Sequence, residues 1–139
     1  MDAIATNQKY ESEVLHTVNQ LFAALEAGDL SAAKALFHNN AVVWHNTDMT
    51  EQAADTALAP LGLLATYNAR FDIVRRYLVE DGCIQQHTVR RTTTTGEILE
   101  VSAIQRICVD DGLISRIEEY LDTFQAMRFL TPDPLAQIP

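Results

Sequence analysis

The stretch from Val101 to Phe124, VSAIQRICVDDGLISRIEEYLDTF, constrains this chain more than any other. It reads as two long strands joined at Asp111-Gly112, a dipeptide suited to a two-residue hairpin turn with positive φ. Such a turn fixes the pairing: Val109 opposite Ile114, Arg106 opposite Ile117, Ile104 opposite Glu119. Opposed residues share a face. One face then carries Ser102, Ile104, Arg106 and Cys108 with Ser115, Ile117, Glu119 and Leu121. The other carries Ala103, Gln105, Ile107 and Val109 with Ile114, Arg116, Glu118 and Tyr120. The first face is mostly apolar yet holds a carboxylate. Burying a carboxylate there is costly unless it is paired or neutral, so Glu119 is the first mark of a site.

The remaining sequence fits a single domain spanning 1–139, long enough to bury roughly two thirds of its unfolded surface. A net charge of −9 argues against binding nucleic acid or an anionic membrane. Cys83 and Cys108 lie in strand-like runs without a C-x-x-C, as expected of reduced thiols in a cytoplasmic protein. MDAIATNQKYES has no apolar signal region, and no apolar run approaches the roughly 20 residues that span a bilayer.

Asn7 or Ser12 caps a first helix whose apolar positions, Val14, Leu15, Val18, Leu21, Phe22 and Leu25, follow a 3.6-residue period up to Gly28. Asp29 caps a second, Leu30 to Phe37, and Asn39-Asn40 reads as a turn before the short strand AVVWHN (41–46). Thr50-Glu51-Gln52 opens a third helical segment, ending near Asn68, that Pro60 kinks or divides in two. A meander of four strands follows: Phe71 to Glu80, Cys83 to Thr93, Ile98 to Val109 and Leu113 to Phe124. The tail, 126–139, is a flap or a dimer contact. Helices first and an antiparallel meander after them give an α+β fold, a cone of three N-terminal helices on a strongly curved, mostly antiparallel sheet.

ALEAGDLSAAKALF, AVVWHN and GLISRIEEYLD resemble the NTF2-like superfamily in its SnoaL-like branch, over nearly the whole chain. The resemblance implies the cone and leaves the reaction open, since isomerases, cyclases, epoxide hydrolases, lyases and binding modules share it. Ketosteroid isomerase is similar through ALEAGDL and the next strand, but its base, oxyanion-hole Tyr and oxyanion-hole acid fall at Asn46, Leu21 and Ser102, which lack those chemical groups. In limonene epoxide hydrolase the Tyr-x-Asn strand resembles Trp44-His45-Asn46. One of its acids falls at Glu119, and its Arg and second Asp fall at Thr88 and Arg90, so that relay is broken.

Strand CIQQHTVRRTT has polar residues on both faces, so one set lines a cavity. A three-residue loop Thr94-Thr95-Gly96 puts Thr88 opposite Ser102 and Arg90 opposite Glu100. A two-residue turn puts His87 opposite Ile104 and pointing inward. The resemblance favours Gln86, Thr88 and Arg90 inside, while His87 has the pKa suited to proton transfer. Four scattered histidines make no metal site, and no phosphate loop or nucleophile elbow is present.

The expectation is a cofactor-independent acid–base enzyme, of isomerase, cyclase, lyase or epoxide hydrolase type, acting on a small apolar oxygenated molecule. Glu119 moves the proton, Arg90 or His87 stabilises charge, and Asn46 orients substrate or water. Trp44, Tyr67, Ile104 and Leu121 form the wall, with Gln86, Thr88, Ser102 and Arg106 in contact. The alternative is a binding or assembly module in which Glu119 is neutralised by Arg106. A homodimer through the outer sheet face would cover Ala103, Ile107, Val109, Ile114 and Tyr120. His45, alternating away from Trp44 and Asn46, points to the covering helix or a partner.

Overall fold

The structure is a computed structural model that describes residues 3–132. Helix α1 (Ala3–Ala27) buries Val14, Val18, Leu21, Phe22 and Leu25 along one stripe. It stops where Gly28 takes φ +73°. The Asp29 side chain accepts from the Ala32 N–H at 3.0 Å and starts α2 (Leu30–Lys34). That helix is shorter than its sequence suggests, because the next residues belong to β1 (Phe37–His45). Phe37 pairs with Ile114, and Asn39-Asn40 sit inside this strand at its one irregularity. Thr50-Glu51-Gln52 also form a strand rather than a helix start. Strand β2 (Thr50–Ala53) folds back on β1, with Trp44 opposite Glu51. Helix α3 (Ala54–Leu58), a 3-10 turn with Pro60 in its first turn, and α4 (Leu63–Thr66) complete the helical layer.

Strands β3 (Arg70–Val79), β4 (Gly82–Thr92), β5 (Ile98–Asp110) and β6 (Leu113–Leu121) form the meander. The six-stranded sheet has the order β2-β1-β6-β5-β4-β3. Only β1 and β6 run parallel. Helices on one face of a curved, mostly antiparallel sheet are the α+β architecture expected from the sequence.

The β5–β6 hairpin decides what faces the core. Asp111 and Gly112 take φ +52° and +77°, and Val109 lies opposite Ile114, as the turn dipeptide demands. The ladder then slips: Cys108 lies opposite Arg116, leaving Ser115 as an extra residue. Such a bulge puts two residues against one and exchanges the faces beyond it. Ile114 and Ile117, three apart, are therefore both buried, at 0% and 5% exposure. Past the bulge Ile107 opposes Ile117, Arg106 opposes Glu118 and Gln105 opposes Glu119.

Glu119 keeps its inward aim, but its partners on β5 change. Ala103, Gln105 and Ile107 face inward; Ser102, Ile104 and Arg106 do not. The β4–β5 loop is the longer alternative, with Thr88 opposite Ser102 and Arg90 opposite Glu100. Because the bulge sets β5's inward parity, this register sends Gln85, His87 and Arg91 inside and Gln86, Thr88 and Arg90 outside. The apolar residues invoked for self-association are likewise covered within one chain. Ile107, Val109 and Ile114 are buried in the core, Ala103 borders the cavity described below, and only Tyr120 is open, at 55%.

Strand β6 ends at Leu121, short of Phe124. Asp122 accepts from the Gln125 N–H at 2.9 Å and caps α5 (Thr123–Leu130), a helix where the sequence pattern suggests strand and tail. Residues 133–139 of the expected flap lie outside the described residues. Among the described residues no helix is long and apolar enough to cross a membrane.

Candidate active site

One row of polar residues crosses the inner face of five strands. His45 of β1 pairs with Glu119 of β6, Glu119 with Gln105 of β5, Gln105 with Gln85 of β4, and Gln85 with Arg76 of β3. Two irregularities bring the row into line: the bulge at Ser115, and a second one in β3 between Ile73 and Arg75. Above the row the helices leave a cavity of about 160 Å³. Phe22, Phe37, Leu58, Phe71, Val101 and Phe129 are among its walls; His45, His87, Gln105 and Glu119 are its polar floor.

Glu119 is 14% exposed and His45 26%. His45 Nε2 lies 3.3 Å from Glu119 Oε1, and Gln105 Nε2 donates to Oε2. Burial pushes the Glu119 carboxyl up. The hydrogen bonds from His45 and Gln105, with the nearby imidazoles, more than reverse this and hold it below its ordinary 4.5. The hydrogen bond to Glu119 raises His45 above 6.5 against its own burial. The pair therefore favours a carboxylate beside an imidazolium. Gln105 Oε1 is buried and has no partner among the described residues, an open acceptor at the cavity floor.

His87 is 4% exposed, wedged between Phe22 and Phe71 with ring centroids 5.3 and 5.5 Å away. Burial lowers its pKa below 6.5, and the Arg76 charge adds to this against the pull of Glu119. Its Nδ1 lies 3.0 Å from Gln85 Nε2.

Of the residues singled out from sequence, Glu119, His87 and Leu121 border the cavity. Asn46 does not: its Nδ2 donates to the Leu121 carbonyl (3.3 Å) and its Oδ1 accepts from the Leu121 N–H (3.0 Å), extending the β1–β6 ladder. Trp44 is on the outer face, 5.1 Å from the Tyr120 ring. Arg90 pairs outside with Glu100 at 2.9 Å and with Asp72 at 3.8 Å. Arg106 pairs outside with Glu118 (3.1 Å) and Asp81, so it cannot neutralise Glu119. Ile104 and Gln86 are exposed and Thr88 half-buried on that outer face. Ser102 is exposed and donates its N–H to Gln125 Oε1 (2.8 Å).

Tyr67 serves the lid instead of the wall. The buried Arg91 guanidinium stacks on its ring at 3.9 Å. Arg91 Nε and Nη2 donate to the carbonyls of Phe129 and Thr131, both at 2.9 Å. Cationic donors at a helix C-terminus satisfy its open carbonyls. Arg91 thereby ties α5 over the cavity, where Ala126, Phe129 and Leu130 border it.

His45, Gln105, Gln85 and Arg76 were missed as site residues. Their signal was polar side chains alternating with apolar ones on adjacent strands, but the parity that unites them depends on the extra Ser115 in β6 and on the irregularity between Ile73 and Arg75 in β3. Cys83 and Cys108 are buried free thiols whose pKa burial raises, a poor setting for a nucleophile. Among the described residues no cluster of three His, Cys, Asp or Glu is placed to hold a metal ion.

An α+β cone with a polar floor under an apolar cavity is the NTF2-like class of fold. Residues 18–117 match the SnoaL-like domain, and the chain belongs to that family. No curated protein matches it. Three solved structures illustrate the likeness in fold. AclR of Streptomyces galilaeus, named as a candidate hydroxylase, has a TM-score of 0.72 at 14% identity, covering 92% of this chain and 87% of its own. IdmH of Streptomyces antibioticus, named as a candidate polyketide cyclase, has 0.72 at 17%, covering 84% and 97%. A candidate isomerase of Bacillus subtilis has 0.67 at 18%, covering 84% and 91%.

Proposed function

We propose that this protein is a cofactor-independent acid–base enzyme acting on a small, largely apolar, oxygenated molecule held in the cavity. The observation that carries the reading is the Glu119 carboxylate, 14% exposed on the floor of an apolar cavity and held by His45 and Gln105 rather than by an arginine. Glu119 takes a proton from a substrate carbon beside a carbonyl, or from water attacking an epoxide. The Glu119–His45 pair is neutral overall when carboxylate and imidazolium stand together, and gains one positive charge when Glu119 accepts the proton. That charge balances the oxyanion formed on the substrate in a site of low dielectric. Return of the proton at a second atom completes an isomerisation or cyclisation; its transfer to the alkoxide released from the ring completes an epoxide opening; its transfer to the leaving group completes an elimination. His87 faces the substrate oxygen, and Gln105 Oε1 accepts from a substrate hydroxyl.

Turnover of enones, epoxides and polyketide-like aromatic ketones tests the reading, in wild type and in Glu119→Gln. The amide keeps the shape and cannot take a proton. Loss of general acid–base catalysis lowers kcat by about 10²–10⁴-fold. Binding of these compounds with no turnover of any class would replace the reading with that of a non-catalytic binding module.

A further inference from the structure

The amide of Gln85, fully buried on β4, is held at both ends. Arg76 donates to Gln85 Oε1 from Nε at 2.8 Å and from Nη2 at 2.5 Å, and its Nη1 donates to Asn19 Oδ1 of α1 at 2.7 Å. A guanidinium has no acceptor, so the Gln85 atom facing it is the carbonyl oxygen. The other end, Nε2, lies 3.0 Å from His87 Nδ1 and has only hydrogens to offer. Nδ1 must therefore keep its lone pair, and the single hydrogen of a neutral imidazole sits on Nε2. Protonating Nδ1 would set two donors against each other in the core, with the Arg76 charge behind them. Phe22 of α1 and Phe71 of β3 flank the ring without offering a polar atom. The charged groups that act on it are Arg76 of β3 and Glu119 of β6. Among the described residues nothing is hydrogen-bonded to Nε2, and His87 borders the cavity.

We propose that Asn19, Arg76 and Gln85 form a relay that locks His87 as the neutral Nε2–H tautomer, making it a fixed donor for a neutral acceptor oxygen, a carbonyl or epoxide oxygen, of the bound molecule. Arg76 and Gln85 are positioning residues: they act through the ring and touch no ligand. The assignment of the acceptor oxygen to a substrate rests on the function proposed above; the tautomer does not.

Long-range proton–nitrogen NMR of the labelled full chain reads the ring directly, with His87→Phe identifying its signals. The expected wild-type pattern is a pyrrole-type Nε2 and a pyridine-type Nδ1 at neutral pH. In Gln85→Glu the carboxylate still pairs with Arg76 but accepts from Nδ1. The proton then moves to Nδ1, and the titration midpoint of His87 rises by about 1–3 in pH. In Gln85→Met, which keeps the volume and needs no partner, both tautomers are expected. An imidazolium or Nδ1–H ring in the wild type at neutral pH would overturn the lock, as would an unchanged ring pattern in either variant. The ligand half is read with acetophenone labelled at its carbonyl carbon. Its resonance should move downfield on wild type and much less on His87→Phe. No such movement on wild type overturns the donor role and leaves the tautomer result standing, whatever the turnover screen finds.

Discussion

Burial pushes the Glu119 carboxyl toward its protonated form, and its neighbours outweigh that push and favour the charged one. A carboxylate that accepts from two side chains is stabilised in its ionised form more than burial penalises it. The linked pair has a defined pH signature. The raised pKa of His45 contributes stability that is full below its ordinary 6.5 and is lost as pH rises through the folded value. The lowered pKa of Glu119 contributes stability that is full above 4.5 and is lost as pH falls through the folded value. Both hold between those two values. The gap in denaturation midpoint between wild type and His45→Gln is therefore expected to be widest from pH 4.5 to 6.5, corresponding to about 1–3 kcal/mol, and to narrow on either side. A gap that does not vary with pH would show that the two groups are not paired. His87 acts in the opposite sense. Neutral in the fold, it costs stability as pH falls below 6.5, and His87→Phe should remove that acid sensitivity.

Among the elements, the hairpin shows how far sequence reading reached. Asp111-Gly112 announced the turn, and Val109 does pair with Ile114. Ser115 announced nothing, since an unpaired Ser in a strand has no composition of its own. Yet that residue exchanges Ile104 for Gln105 and Arg106 for Ile107 on the inner face. The Thr-rich loop left two registers open in the sequence, and even the right one, with Thr88 opposite Ser102, did not give the facing, because the facing is inherited from the bulge. Trp44 reads as a core residue by size, but β1 inherits its parity from β6, which leaves Trp44 to stack on Tyr120 outside. α5 was hidden because β6 continues into it at Asp122 without a glycine or proline, and its cap is the only local cue. Its seat over the cavity depends on Arg91. Replacing Arg91 with Met should cost about 1–3 kcal/mol through the two carbonyls left open. Hydrogen exchange would then show protection lost in 123–130 while β4 and β5 keep theirs. Equal loss throughout the sheet would mean that Arg91 supports the core rather than the lid.

At the level of the whole molecule the class of fold is legible in the sequence, since helix periodicity and four strand-like runs leave few other packings. The carboxylate is legible too, since an acid among apolar strand residues stands out. The row from His45 to Arg76 was not legible, because it exists only after five strands are placed in register. Arg106→Ala, on the outer face, should leave the cavity untouched and cost less than about 1 kcal/mol, as an exposed pair does. The central claim is that Glu119 is an ionised acid whose partner is His45. Carboxyl-carbon NMR of Glu119 through a pH titration, in wild type, His45→Gln and Arg106→Ala, tests it most directly. A midpoint below 4.5 that rises in His45→Gln and stays in place in Arg106→Ala is the predicted result. A midpoint near neutrality, or one that moves with Arg106 and ignores His45, would contradict it.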